Sequence, residues 1–172
     1  MFYRTEFSSP LGKIILASDG EALSGLWSEG QKYFEAGIPE PMKENPELSI
    51  FKDTKDWLNR YFAGEKPDIH LPLRPLGSHF RQQVWKLLCE IPYGEMTTYG
   101  ELGRKLEALE GKKTSARAVG GAVGHNPISI LIPCHRVIGA NGSLTGYAGG
   151  LERKIQLLKL EGISLEKLVQ GK

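Results

Sequence analysis

The hydrophobic pattern of the first 28 residues is that of short strands. Met1–Phe7 and Lys13–Ala17 flank a turn cluster, Ser8-Ser9-Pro10-Leu11-Gly12, and Asp19-Gly20 marks a second turn before Ala22–Trp27. The pattern predicts a hairpin or meander. Residues 37–46 are rich in proline and glutamate and read as a loop. Asn45 then predicts a helix cap with Pro46 at the first helical position. Leu48, Phe51, Leu58, Tyr61 and Phe62 recur at helical spacing, and Gly64 ends the run. That stripe, with Trp57, reads as core. Lys66 to Gly77 holds Pro67, Pro72 and Pro75, which exclude a helix and mark a crossing between domains.

Beyond that crossing the period is helical. Ser78 caps a helix carrying Phe80, Val84, Leu87, Leu88 and Ile91, stopped by Pro92-Tyr93-Gly94. Thr98-Tyr99-Gly100-Glu101 is a capping box that opens a helix to about Glu110. Gly111-Lys112-Lys113 is a turn, and Thr114 or Ser115 caps another helix to Gly124, with Asn126-Pro127 as its stop. Helix, short glycine turn, helix is the pattern of a helix-turn-helix. Asn141-Gly142 predicts a tight hairpin. Gly146 to Gly150 is a loop before a last helix, Leu151–Glu161, whose Leu151, Ile155 and Leu158 face the core and which Gly162 caps. The fold class expected is α/β (α+β). A small N-terminal β-meander plus helix domain, residues 1–75, is joined to a mostly helical C-terminal domain, residues 76–172. The latter has the helix-turn-helix and a short strand or hairpin at the active site.

Composition narrows this picture. The chain has 172 residues, is 40% hydrophobic and carries a net charge of +2. No apolar run approaches membrane-spanning length, and Met1-Phe2-Tyr3-Arg4 opens no signal-peptide core. Two cysteines in different contexts do not form a disulfide framework, so a reducing, cytoplasmic setting is expected. Charge is uneven: residues 1–75 net −3 and residues 76–172 net +5. The basic half holds the motifs, which suits a polyanionic partner.

The candidate chemistry lies in Ile130-Leu131-Ile132-Pro133-Cys134-His135-Arg136-Val137-Ile138. Both apolar flanks read as buried β segments around a thiol, an imidazole and a guanidinium. Polar groups in such a frame cost folding energy unless paired, and an arrangement of that cost is usually kept for chemistry. His135 and Arg136 beside Cys134 favour the thiolate. The alternative is a structural thiol, the reading given to Cys89, which lies in Trp85-Lys86-Leu87-Leu88-Cys89 with no basic neighbour. On a strand, His135 and Cys134 would point to opposite faces, so His135 serves the thiol only if the chain turns there or a water intervenes. The helix after Ser115 is the second oddity. Ala116, Ala118, Gly120, Gly121, Ala122 and Gly124 leave the helix almost without side chains, and its three glycines disfavour helix by roughly 1 kcal/mol each. Either Gly121 and Gly124 allow close packing, or the helix is thin so that it can enter a minor groove. Arg117 is its one long side chain.

Ala116-Arg117-Ala118-Val119-Gly120-Gly121-Ala122, Asn126-Pro127, Ile132-Pro133-Cys134-His135-Arg136-Val137, Gly146-Tyr147 and Gly149-Gly150-Leu151, in this order and spacing, closely resemble the O6-alkylguanine-DNA alkyltransferase family. The likeness covers about Ser78 to Gly162. It implies repair by direct reversal: an alkyl group moves irreversibly from O6 of guanine, and O4 of thymine, in duplex DNA to Cys134, and the molecule is spent. By the same resemblance His135 takes the thiol proton through a water, Glu161 orients His135, Tyr99 donates to the leaving base and Asn126 ties the DNA-binding helix to the active-site turn. Arg117 fills the gap left by the flipped nucleotide. Ser115, Ala116, Ala118, Gly120 and Gly121 form the DNA surface, and Val137, Tyr147 and Ala148 read the base. Arg104, Lys105, Lys112 and Lys113 are candidates for phosphate contact. No cofactor and no metal is implied. Some relatives carry an N-terminal zinc site, for which His70 and His79 have no companions at ligand spacing. The partner implied is double-stranded DNA containing O6-alkylguanine, met by a monomer. Ala148 stands where some relatives have serine, and Ser129 where some have proline. The rival readings are a non-catalytic alkylated-DNA-binding protein, a helix-turn-helix regulator, and a cysteine hydrolase or redox enzyme.

Overall fold

A computed structural model of the chain describes residues 1–144 and 147–165. It divides into two compact units: Met1–Leu76 with Pro127–Leu131, and Gly77–Asn126 with Ile132–Lys172.

In the first unit, β1 (Tyr3–Ser9), β2 (Gly12–Ser18) and β3 (Leu23–Ser28) form an antiparallel meander, as their turn chemistry predicts. Residues 37–46 are not wholly loop: β4 (Lys43–Glu44) adds parallel to β1, giving sheet order β3-β2-β1-β4. β2 is buried on both faces. Ile15 and Ala17 pack with Trp27 against Phe34, Ile38 and Met42, while α1 (Ser49–Phe62) lies against β1 and β2. The helix starts later than the sequence suggests. Asn45 Oδ1 accepts from the Glu47 amide at 3.1 Å, closing a local turn, and the N-cap is Leu48, with no side-chain cap. The Asn45-Pro46 pair therefore makes the turn that leads into the helix. Edge strand β3 uses its outer side twice: it bridges Leu73 through Leu23 and Ile128 through Leu26. The Leu26 amide donates to Pro127 O at 2.8 Å and Leu26 O accepts from Ser129 at 3.0 Å, which is why Pro127–Leu131 groups with residues far from it in sequence.

The second unit is built from α2 (His79–Leu88), α3 (Tyr99–Glu110), α4 (Ala116–Gly124) and α5 (Leu151–Leu160). The caps fall where the sequence puts them. Ser78, Thr98 and Ser115 accept from the amides of Arg81, Glu101 and Ala118, and Gly111 ends α3 at φ 71°. α2, α3 and α4 pack on one another. Trp85 of α2 donates its indole N–H to Ala122 O at 2.8 Å, in the interior, and so supplies a partner to a carbonyl at the end of α4. Trp85→Phe removes that donor and strands the carbonyl, so it should cost about 1–3 kcal/mol. Thermal unfolding should show the midpoint falling by roughly 5 °C; an unchanged midpoint would show that the bond contributes nothing. Ile138, Leu144 and Leu158 form a further core with Met96, Leu151 and Ile155. The predicted Asn141-Gly142 turn is present, closed by Gly139 N–H to Ser143 O at 2.8 Å.

Candidate active site and nucleic-acid interface

The apolar run around Cys134 is not a strand on both sides. Leu131 donates to Ser129 O across Ile130, which sits at φ 71°, a left-handed value unusual for a β-branched residue. Pro133 (φ −80°, ψ 64°) centres a second three-residue turn, in which Cys134 donates to Ile132 O at 2.8 Å. Cys134–Arg136 then form one turn of 3₁₀ helix, and only β6 (Val137–Ile138) is extended, paired in parallel with β5 (Thr97–Thr98). The 3₁₀ turn supplies the bend that a straight strand would have denied to Cys134 and His135.

Asn126, two residues beyond α4, donates its amide to Ile132 O at 2.7 Å and also hydrogen-bonds the Cys134 sulfur. It therefore joins the end of α4 to the turn. Burial pushes the Cys134 thiol up; the Asn126 contact and the Lys154 ammonium pull the other way. His135 is wholly buried. Its Nε2 meets Glu161 Oε2 at 2.6 Å, and its Nδ1 has no protein partner. Burial holds the imidazole below its usual range even though Glu161 opposes this. A neutral ring with its proton on Nε2, facing the carboxylate, leaves Nδ1 as an acceptor.

Glu161 is the C-cap of α5, not a surface carboxylate, and is 6% exposed. Besides His135 it accepts from Arg136 Nε at 2.8 Å, Arg136 Nη2 at 3.1 Å and the Gly94 amide at 3.1 Å. Arg136 also donates to Ile91 O at 2.6 Å. This corrects the expectation that Arg136 acts on the thiol: its charge is neutralised by Glu161. Tyr99, the first residue of α3, feels the thiolate, and burial together with that charge pushes its hydroxyl up to about 12. It stays protonated, a donor, at neutral pH.

Ser115, Ala116, Arg117, Ala118 and Gly121 are exposed, while Val119, Ala122 and Val123 are buried and hold α4 in place. A Cβ built on Gly120, Gly121 or Gly124 would meet nothing within 4 Å. Close packing therefore does not explain Gly121 and Gly124. Val137 is buried, and Tyr147 and Ala148 are half-buried; Gly146 lies outside the described residues. Arg104 is paired with Glu101 at 2.6 Å, Lys112 and Lys113 are exposed, and His79 meets Glu110 at 3.1 Å. Cys89, read as a packing residue, is exposed instead, because α2 ends one residue before it.

Sequence reasoning missed Lys154. It is 0% exposed, and its Nζ donates to Val137 O at 2.6 Å. The signal was available: Leu151, Lys154, Leu158 and Glu161 share one helical face, so both charges point inward with the leucines.

A buried thiol on a short turn, an imidazole held by a carboxylate, and a small-residue second helix in a helix-turn-helix together define a cysteine-nucleophile protein of the nucleic-acid-binding type. Comparison with known proteins gives the family. Residues 79–163 match the 6-O-methylguanine DNA methyltransferase DNA binding domain, and residues 2–75 match the ribonuclease-like domain of the same methyltransferase. The methylated-DNA–protein-cysteine methyltransferase of Methanosarcina acetivorans is 47% identical over 161 residues, covering 93% of this chain and 98% of that one. The Haemophilus influenzae protein of the same name is 44% identical, covering 94% and 87%. The crystal structure of Mycobacterium tuberculosis O6-methylguanine methyltransferase superposes with a TM-score of 0.81 at 44% identity, covering 94% and 93%. A structure of the M. tuberculosis protein in complex with DNA gives 0.81 at 43%, covering 92% of each chain. The chain belongs to the 6-O-methylguanine DNA methyltransferase family.

Proposed function

We propose that this protein repairs O6-alkylguanine, and O4-alkylthymine, in double-stranded DNA by moving the alkyl group to Cys134, once per molecule, as a cytoplasmic monomer. The observation that carries this reading is the Glu161–His135 contact. It fixes the imidazole with Nδ1 free to accept, one residue from a nucleophile whose own proton must leave. The alkyl carbon is a soft electrophile, and sulfur is suited to it. His135 takes the thiol proton through a water. The sulfur forms a bond to the alkyl carbon as the carbon–O6 bond breaks, and the electron pair goes to the purine. Tyr99 supplies a proton to the leaving base and is reprotonated through solvent by the proton that His135 took, so thiol and alkylated guanine become thioether and guanine with atoms and charge balanced. A thioether does not hydrolyse, and the sulfur is consumed.

The base must leave the stack before sulfur can reach it, at a cost of a few kcal/mol. α4 supports that step. Its Ser115, Ala116, Ala118, Gly120 and Gly121 surface has no bulk, and Arg117 projects from it to occupy the vacated space. Asn126 transmits the placement of α4 to the Cys134 turn, and backbone groups at Val137, Tyr147 and Ala148 read the extruded purine. Residues 1–75 take no part in the chemistry.

The test is an intact mass after incubation with duplex oligonucleotide bearing O6-methylguanine. The expected result is a gain of one methylene, mapped to Cys134 and absent in Cys134→Ser, which still binds the duplex. Turnover, or a gain at Cys89, would overturn the mechanism. Binding with no gain would favour a damage-binding protein instead.

A further inference from the structure

Once Arg136 is bound to Glu161, and His135 is neutral, the thiolate of Cys134 has neither of the partners its sequence neighbours suggest. Lys154 is the only buried lysine among the described residues. Its Nζ donates to Val137 O at 2.6 Å, and the Val137 amide donates to Cys134 O, closing the 3₁₀ turn. The lysine is therefore fastened to the last link of the turn that carries the nucleophile. α5 also brings in Glu161, seven residues on, so one helix face delivers a carboxylate to His135 and a cation to the turn that carries Cys134. A buried ammonium costs several kcal/mol of desolvation, and one backbone carbonyl is poor compensation.

We propose that Lys154 is the counter-charge of the Cys134 thiolate, a positioning residue that sets how much of the sulfur is ionised. The inference rests on the reading of Cys134 as the nucleophile. The groups that act on the sulfur are Asn126, by a hydrogen bond from beyond α4, and the charge of Lys154 from α5, while Tyr99 of α3 feels its charge in turn. Those acting on the ammonium's neighbourhood are Cys134 and His135, with Arg136 and Glu161 neutralising each other behind them. Only Lys154 supplies uncompensated positive charge. Burial draws its ammonium down to about 8, with the thiolate acting against that fall. The cation is thus retained at neutral pH, where the sulfur needs it.

The experiment measures Cys134 ionisation without DNA. In a Cys89→Ser background, which removes the exposed competing thiol, iodoacetamide labelling of Cys134 is followed against pH by peptide mass. Lys154→Met removes both the charge and the donor; Lys154→Gln keeps a donor for Val137 O but no charge. Both should move the labelling midpoint to higher pH by a unit or more, slowing labelling about tenfold at pH 7. A wild-type profile in the Gln variant, or an unmoved profile in both, would reduce Lys154 to a clip on Val137 and overturn the proposal. A second measurement needs no lysine variant. The Lys154 Cε resonance is titrated before and after Cys134 is capped with methyl methanethiosulfonate. With the sulfur neutral, the ammonium should titrate at lower pH, and an identical titration would also overturn the proposal. Neither measurement uses DNA, so a failed methyl transfer would reject the proposed function and leave this result to stand or fall separately.

Discussion

Glu161→Gln should lose both fold stability and alkyl transfer. The carboxylate accepts two hydrogen bonds from Arg136, one from Gly94 and one from His135. Glutamine keeps the shape but removes the charge, and its NH₂ cannot accept. Arg136, at 8% exposure, is then a buried cation without a counter-charge. Breaking a buried pair from one side costs about 3–5 kcal/mol. The thermal midpoint should fall by roughly 10 °C, since a chain of this size loses about 2–4 °C per kcal/mol. The rate falls for a separate reason. Without a carboxylate on Nε2, the neutral imidazole is free to place its proton on Nδ1, the atom that must accept. Carboxylate-to-amide changes behind a histidine base lower rates by up to about 10⁴-fold. Single-turnover kinetics on an O6-methylguanine duplex, measured well below the lowered midpoint, separate the two effects. A variant that unfolds early but reacts at the normal rate would leave Glu161 a structural anchor only.

The Glu161 result also shows where local sequence runs out. Caps are local, and they were legible. Thr98, Ser115 and Gly111 fix the helix-turn-helix because each satisfies backbone groups within four residues of itself. The meander was legible for the same reason, through its turns. The segment before Cys134 was not. Ile130-Leu131-Ile132 has strand composition, yet hydrogen bonds closing over single residues turn it at Ile130 and at Pro133, and an apolar pattern carries no trace of them. Ile128 bridges β3 and Ile132 O accepts from Asn126, contacts that the local sequence does not announce. Arg136 was placed beside the thiol because it is adjacent in sequence. Its true partner lies 25 residues away, on a helix whose inward face has to be recognised first. Lys154 was passed over as one of many lysines, although its position on that same face distinguishes it. The roles of Cys134, His135 and Glu161 came from resemblance. Residue type and spacing alone reached no further than a thiol that could turn toward its histidine.

The glycines of α4 carry the second large prediction, and it pulls stability and function in opposite directions. Gly120 and Gly121 lie inside a helix where a Cβ would meet nothing. Each should cost about 1 kcal/mol relative to alanine, with no packing gain in return. Replacing both with alanine should therefore raise the unfolding midpoint by several degrees. If the fold alone had set these positions, alanine would be the better residue. A DNA groove supplies the missing reason, since the minor groove is only about 6 Å wide and a helix with ordinary side chains is about 10–12 Å across. Gly121→Leu should thus fold at least as well as the wild type yet repair roughly 100-fold more slowly, a barrier of about 3 kcal/mol, because the helix can no longer seat deeply enough to extrude the base. Labelling of Cys134 by a small thiol reagent should be untouched, which places the defect in the approach to DNA and not in the sulfur. If Gly121→Leu repaired at the wild-type rate, α4 would not be the element that enters the groove, and the open space around its glycines would need another occupant.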